Sequence, residues 1–402
     1  MGILLTALAL PGFAFAADEA GTNSATGGQA AATPSAIVAD MTFITPTKTL
    51  SLDEAYKELE TSPTMEQIAL AKKSDQAVAK GNMESLQDLK AMEKASSDPT
   101  SGAFWSYDST NKKLMQAMRN FANSMIAPNN EARISKFKRD TFEKYYTLKD
   151  METPVAIASD TVAVNEKILA SAELKYKLGT SSKMDVLKAE LDLKTAQDGY
   201  MAAKNGLSNL KMAFNVYMGY DLMQDVSLSD TIAEPVLPET KLADAVKSAL
   251  TNRLELKESA YNLELSQLDF DSYKAYPKSS SKYLSKQTAV LGAKMANDSK
   301  PAEIELDVRS KYMAMTESYQ KVQSGKQSVT NAAETARLAQ LQYEAGMCTL
   351  TEVQQAQLGS YNAQLNQSKA LLEYNLALED YTLCQGIGIS GASLTAGGSG
   401  GN

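Results

Sequence analysis

The 402-residue sequence contains no histidine and only two cysteines. The first absence removes the commonest general base, the Ser-His and Cys-His nucleophile pairs and every imidazole metal site. The second removes four-cysteine zinc sites. Glycine and proline are scarce, at 22 and 11 residues, and aromatics make up 7%. That composition argues against an all-β sandwich, a collagen or a disordered chain. Positive charge is also short: 40 Lys and Arg against 48 Asp and Glu leave a net charge of −8. No basic face is therefore offered to nucleic acid. Paired carboxylates, Lys or Tyr chemistry, or no covalent chemistry at all remain open.

Long apolar runs are missing as well, with one exception. Residues 3–16, ILLTALALPGFAFA, are almost continuously apolar and end in Ala14-Phe15-Ala16. The run is too short to span a bilayer and closes on an A-x-A cleavage pattern. Residues 1–16 therefore read as an export signal, although no Lys or Arg precedes the run. Residues 17–47 read as a disordered linker, and residues 390–402, SGASLTAGGSGGN, as a disordered tail.

The body is periodic. Val186, Ala189, Leu193, Ala196, Tyr200, Ala203, Leu207, Leu210, Phe214 and Tyr217 follow a 3-4 spacing, which predicts a long coiled-coil helix. A shift of 167 residues lays Ala172–Gly219 on Ala339–Gly386 with eleven identities, among them Tyr176/Tyr343, Gly179/Gly346, Val186/Val353 and Gly219/Gly386. An internal duplication is the economical reading. Each half reads as helix, tight turn at Tyr-x-x-Gly, helix, with glycine as the left-handed cap. Asp185 and Glu352 stand six residues past the two glycines, in the first turns of the following helices, where negative charge suits the dipole. Pro154 predicts a break or kink near residues 150–154. The fold class is thus all-α, with long antiparallel coiled-coil hairpins in two tandem repeats: residues 48–222, a connecting loop at 223–240, and residues 241–389.

At this point the sequence resembles the TolC family of outer-membrane efflux proteins. The resemblance rests on Tyr176-Lys-Leu-Gly179 followed by Asp185-Val and Ala189, and on Tyr343-Glu-Ala-Gly346 followed by Glu352-Val and Ala356. Asn252-Arg253-Leu254-Glu255-Leu256 with Tyr276-Pro277, and the openings Leu52-Asp-Glu-Ala55 and Leu242-Ala-Asp-Ala245, extend it over about residues 48–389. It implies a homotrimer whose hairpins build a hollow α-barrel, with the turns at Gly179 and Gly346 docking a periplasmic adaptor (membrane fusion protein) that works with an inner-membrane pump. It implies no covalent chemistry and no cofactor. It also implies an entrance held by Tyr343, Glu352 and Asp185.

The sequence departs from the family pattern in two places. Residues 93–115 and 278–302, where the resemblance puts β-barrel strands, are rich in Ser and Lys and do not alternate. They read as loops or short caps, so the barrel insertions are expected to be short or absent. That leaves outer membrane, periplasm and cell wall open as locations. At the entrance, Cys348 replaces an Arg and Gln355 replaces an acid, so either Lys183 or Lys177 supplies the missing cation or the entrance is held less tightly. Asp185 and Glu352 also have a plainer reading, as helix N-terminal charges alone.

Other features read more simply. Cys348 and Cys384 lie about 54 Å apart along a helix, too far for a disulfide. Cys348 is expected to be exposed and Cys384 a small core residue. Arg133, Lys136, Lys138 and Arg139 read as a basic patch, either a solvated face or a contact for an anionic surface, and Asp269-Phe-Asp271 as a solvated helix face. Two functional readings follow: a TolC-like efflux or secretion component, and a non-channel coiled-coil scaffold of the cell envelope. Paired-carboxylate catalysis has no spacing to support it.

Overall fold

Helix starts are written into the sequence as caps. Ser51, Ser62, Asp108, Ser182, Ser280 and Thr349 each precede a helix and accept a hydrogen bond from a first-turn backbone N–H. Each meets a donor that the helix would leave orphaned. The computed structural model describes residues 43–101 and 107–394. The expected signal at 1–16, residues 17–42 of the expected linker and residues 395–402 of the expected tail lie outside them. In chain order the described elements are β1 (Ile44–Leu50), α1 (Leu52–Leu59), α2 (Pro63–Ala95), α3 (Ser109–Asp150), α4 (Glu152–Lys177), α5 (Lys183–Met218), β2 (Gln224–Leu228), α6 (Leu242–Asn252), α7 (Leu254–Asp271), α8 (Ser281–Glu344) and α9 (Leu350–Cys384).

The order runs through one pattern twice: short helix, helix, long helix, glycine turn, closing helix. The first pass is α1, α2, α3 with α4, then α5; the second is α6, α7, α8, α9. Neighbours pack along one another, α2 on α3, α4 on α5, α7 on α8 and α8 on α9. Only the first long helix is divided. α3 ends at Asp150 and α4 begins at Glu152, as Pro154 predicts, because its missing N–H cannot return to the Asp150 carbonyl. Pro301 lies inside α8 without dividing it. At 64 residues α8 is about 96 Å long.

The core is a string of clusters along the helices. Val308, Met315 and Val322, seven residues apart on α8, are all 0% exposed. They pack with Tyr374, Tyr381 and Cys384 of α9. Burial of such side chains is worth about 1.5–3 kcal/mol each. A second cluster joins Leu50, Leu59, Tyr145, Phe214 and Leu228 at the root of the first repeat. A third lies between α2, α3 and α7, where Phe121 stacks on Tyr261 with ring centroids 3.8 Å apart. A fourth fills the glycine-turn end.

Several expectations are corrected. Residues 44–47 of the expected linker belong to β1, which pairs in parallel with β2, cut from the expected connecting loop, so that Leu50 faces Leu228. The Leu50 carbonyl accepts from Tyr145 Oη at 2.9 Å and from the Ser229 N–H at 2.9 Å. Residues 390–394 of the expected tail pack onto the body. Buried Asn129 is the reason: its Nδ2 donates to the Ala392 carbonyl at 2.9 Å and its Oδ1 accepts from the Ala392 N–H at 2.8 Å. Residues 278–302, expected as a loop, are helical from Ser281 onward. Only the Ser279-Ser280-Ser281 stretch is loop-like; beyond it Lys, Ala, Leu, Met and Gln, all good helix formers, dominate. Of residues 93–115, expected as a loop or short cap, 93–95 close α2 and 109–115 open α3; the described residues between them carry no helix or strand.

Of the basic patch, Lys136 and Lys138 are exposed as expected, but the two arginines are not a solvated face. Arg133 grips Asp75 with two hydrogen bonds of 2.7 and 3.2 Å, tying α3 to α2. Arg139 Nε donates to Asp380 at 2.9 Å, tying α3 to α9. Arg253 holds Glu255 at 2.7 Å and Asp307 at 3.0 Å where α6, α7 and α8 converge. Asp269 and Asp271 do lie on a solvated face, 41% and 43% exposed, where they pair with Lys286 and Lys274. Among the described residues no helix is long and apolar enough to cross a membrane.

Candidate functional site

The two glycine turns are built alike, bond for bond. Gly179 has φ +73° and Gly346 φ +75°, in the left-handed region that side chains resist by about 1–2 kcal/mol. At the first turn the Thr180 N–H returns to the Lys175 carbonyl at 2.9 Å and the Gly179 N–H to the Tyr176 carbonyl at 2.9 Å. At the second the Met347 N–H returns to the Gln342 carbonyl at 2.8 Å and the Gly346 N–H to the Tyr343 carbonyl at 3.0 Å. Both close the last helical carbonyls in the same nested way.

Three residues past each glycine a reciprocal cap opens the return helix. Asp185 accepts from the Ser182 N–H at 3.0 Å and from the Ser182 and Ser181 hydroxyls at 2.9 Å. Glu352 accepts from the Thr349 N–H at 2.7 Å and the Thr349 hydroxyl at 2.9 Å. The backbone donors above all, then the hydroxyls, hold both carboxyls below their ordinary range. Within one chain, the two expected gating acids are thus the caps of α5 and α9.

The tyrosines break the symmetry. Tyr176 is 47% exposed, whereas Tyr343 is 6% exposed. Lys175 lies over Tyr343, with Nζ 3.6 Å from the ring centroid, and donates to the Tyr343 carbonyl at 2.5 Å. The Tyr343 hydroxyl is buried without a hydrogen-bond partner, so the ring acts here by packing. Burial, and next the Asp185 charge, raise its pKa. Lys183 opens α5 and Lys177 closes α4; the cation that meets Tyr343 within the chain is Lys175. The doubled pattern could not reveal this, because Gln342 holds the equivalent place in the second repeat.

Two further ties, also unseen in the sequence, join the return helices. Lys188 Nζ donates to Thr351 Oγ1 at 2.5 Å, and Gln354 Nε2 donates to Asp192. Inside them Ile168, Ala172 and Ala189 of the first repeat pack with Ala339, Leu350 and Val353 of the second. Cys348 is half-buried at the edge of this cluster rather than exposed, and its thiol donates to the Ala339 carbonyl at 3.3 Å. Burial, then Glu352, push that thiol up, and Lys175 opposes them. Cys384 is buried and free, its thiol pushed up to about 11 by burial. Outside the cluster, Leu178, Met184 and Met347 are 69%, 71% and 75% exposed. The paired turns therefore form one four-helix tip with a packed centre and an apolar rim.

Two helical repeats that end side by side in such a tip define a TolC-like, all-α fold. Solved structures share this architecture. A membrane protein from Pseudomonas aeruginosa superposes with a TM-score of 0.63 at 11% identity, covering 83% of this chain and 93% of that one. The outer membrane protein VceC from Vibrio cholerae gives 0.58 at 14% identity, over 84% of this chain and 97% of that one. The open MtrE outer membrane channel of Neisseria gonorrhoeae gives 0.51 at 12% identity, over 85% and 91%. At these identities the likeness is one of fold. No protein-family profile and no curated protein matches the sequence.

Proposed function

We propose that this chain is the TolC-like outer component of a tripartite efflux or secretion system. Three copies close a helical tube. The turns at Gly179 and Gly346 dock a periplasmic adaptor, which couples the tube to an inner-membrane pump. The chain is exported, lies in the cell envelope and passes substrates without transforming them. The observation that carries this reading is the tip: two turns of identical construction, joined across the repeats and rimmed by exposed Leu178, Met184 and Met347. An apolar rim on a rigid, doubly capped end suits docking to another protein. The fold shared with outer membrane channels supports it. In the assembled tube Glu352 and Asp185 narrow the entrance, braced by the packed ring of Tyr343, with Lys183 as the candidate cation facing the next copy.

A second reading is a non-channel scaffold of the cell envelope. It is favoured by the end of the molecule away from the tip, where helix α8 occupies residues 281–302. Light scattering of the exported chain, purified without detergent, separates the two. A stable mass of three chains supports the tube. A monomer or dimer, unchanged by added adaptor, overturns the tube in favour of the scaffold.

A further inference from the structure

From residue 272 to residue 297 the chain carries five lysines and no Asp or Glu, in a molecule of net charge −8. This segment is the turn between α7 and α8 together with the first turns of α8. It lies at the opposite end of α8 from Gly346. Two of the lysines are neutralised internally: Lys274 by Asp271 at 2.7 Å and Lys286 by Asp269 at 2.6 Å. Lys278, Lys282 and Lys294 are exposed. Aromatic rings interleave with them. Phe270 meets Tyr283 with centroids 5.1 Å apart, and Tyr273 meets Tyr276 at 5.4 Å.

This stretch of α8 uses one face against α7, through Tyr283, Lys286 and Asn297. On another face Leu284, Leu291 and Met295 are 48%, 58% and 65% exposed. Their i, i+7, i+11 spacing makes them one stripe, about 16 Å long. A solvated lysine turn does not call for an apolar stripe beside it. A protein–protein interface does not concentrate lysine at its core. An anionic bilayer surface accounts for all three components: lysine meets headgroup charge, tyrosine sits at headgroup depth, and Leu and Met enter the acyl boundary.

We propose that the α7–α8 turn is a lipid-binding foot, seated on an anionic membrane surface through Lys278 in the turn, Lys294 beside the stripe, and the Leu284–Leu291–Met295 stripe itself. The foot does not depend on the channel reading. Its test is co-sedimentation of the full chain with vesicles of phosphatidylcholine alone, or mixed equally with phosphatidylglycerol. The chain binds the anionic vesicles, more weakly as salt rises. Lys278→Glu with Lys294→Glu lowers that partitioning by at least about tenfold. Leu291→Ser with Met295→Ser also lowers it, whereas Lys204→Glu, far along α5, does not. All these positions are exposed, and circular dichroism checks that helix content is kept. Equal binding to both vesicles, no binding, or indifference to the lysine reversals overturns the proposal. So does a fall in light-scattering mass of the Leu291→Ser, Met295→Ser variant with lipid binding intact, which assigns the stripe to contact between copies.

Discussion

Replacing Lys175 by Met should loosen the tip without unfolding the chain. Lys175 contributes a cation over the Tyr343 ring and a charged hydrogen bond to its carbonyl. The first is worth about 1–2 kcal/mol when partly desolvated and the second about 1.5–3 kcal/mol. Holding the long side chain in place costs up to about 2 kcal/mol of rotamer entropy. The net loss in Lys175→Met is therefore about 1–2 kcal/mol, or about tenfold in the equilibrium for opening the tip. The chain carries its own reporters. Cys348 sits at the edge of the tip cluster and Cys384 in the core of the second repeat. With a disulfide-exchange reagent, Cys348 labelling should rise about tenfold while Cys384 stays protected. The sign is informative, because Lys175 also lowers the Cys348 thiol pKa. Electrostatics alone would slow labelling in the variant, whereas opening speeds it. Tyr343→Phe keeps the ring and removes a hydroxyl without a partner, so its labelling should match that of the parent. Slower Cys348 labelling in Lys175→Met, or an equal rise at both cysteines, would refute the pin.

Gly179→Ala and Gly346→Ala meet no atom within 4 Å, so each should cost only the left-handed backbone penalty, about 1–2 kcal/mol, read by hydrogen exchange at that turn; Asn should recover part of it. Asp185 and Glu352 have folded pKa values below their unfolded ones. The stability they contribute is present above about pH 4–5 and is lost as pH falls through the depressed folded values. Exchange at the tips should therefore accelerate on acidification, and Asp185→Asn with Glu352→Gln should flatten that dependence. Arg133→Met leaves the largely buried Asp75 carboxylate unpaired and should cost about 3 kcal/mol in urea unfolding; adding Asp75→Leu should recover most of it.

The tip was legible because its chemistry is local and stated twice. A Tyr-x-x-Gly turn followed by Ser or Thr and an acid three residues later encodes the closure and the cap within ten residues. The long helices were legible from period alone, as in the 3-4 spacing from Val186 to Tyr217. The pairings were not. Lys175 meets Tyr343 across 168 positions of chain, and its place is Gln342 in the other repeat. Arg133 and Arg139 read as a surface because Asp75 and Asp380 lie far off in sequence. The start of α8 was hidden by the serines beside it, which outweighed the helix formers that follow. β1 shows almost no alternation, since of its seven residues only Leu50 is buried.

The parallel pairing of β1 with β2 sets a schedule. Leu50 reaches Leu228 only after the whole first repeat has appeared. At about 5–20 residues per second of synthesis, that is a wait of about ten to thirty-odd seconds. For that interval residues 44–50 are an unpaired strand, the kind of edge that invites a wrong partner. Pro46 withholds a donor from any such partner, and Lys48 keeps a charge on the strand. The earlier of the two described strands is thus poorly able to pair early, and its docking marks the moment at which the first repeat is complete.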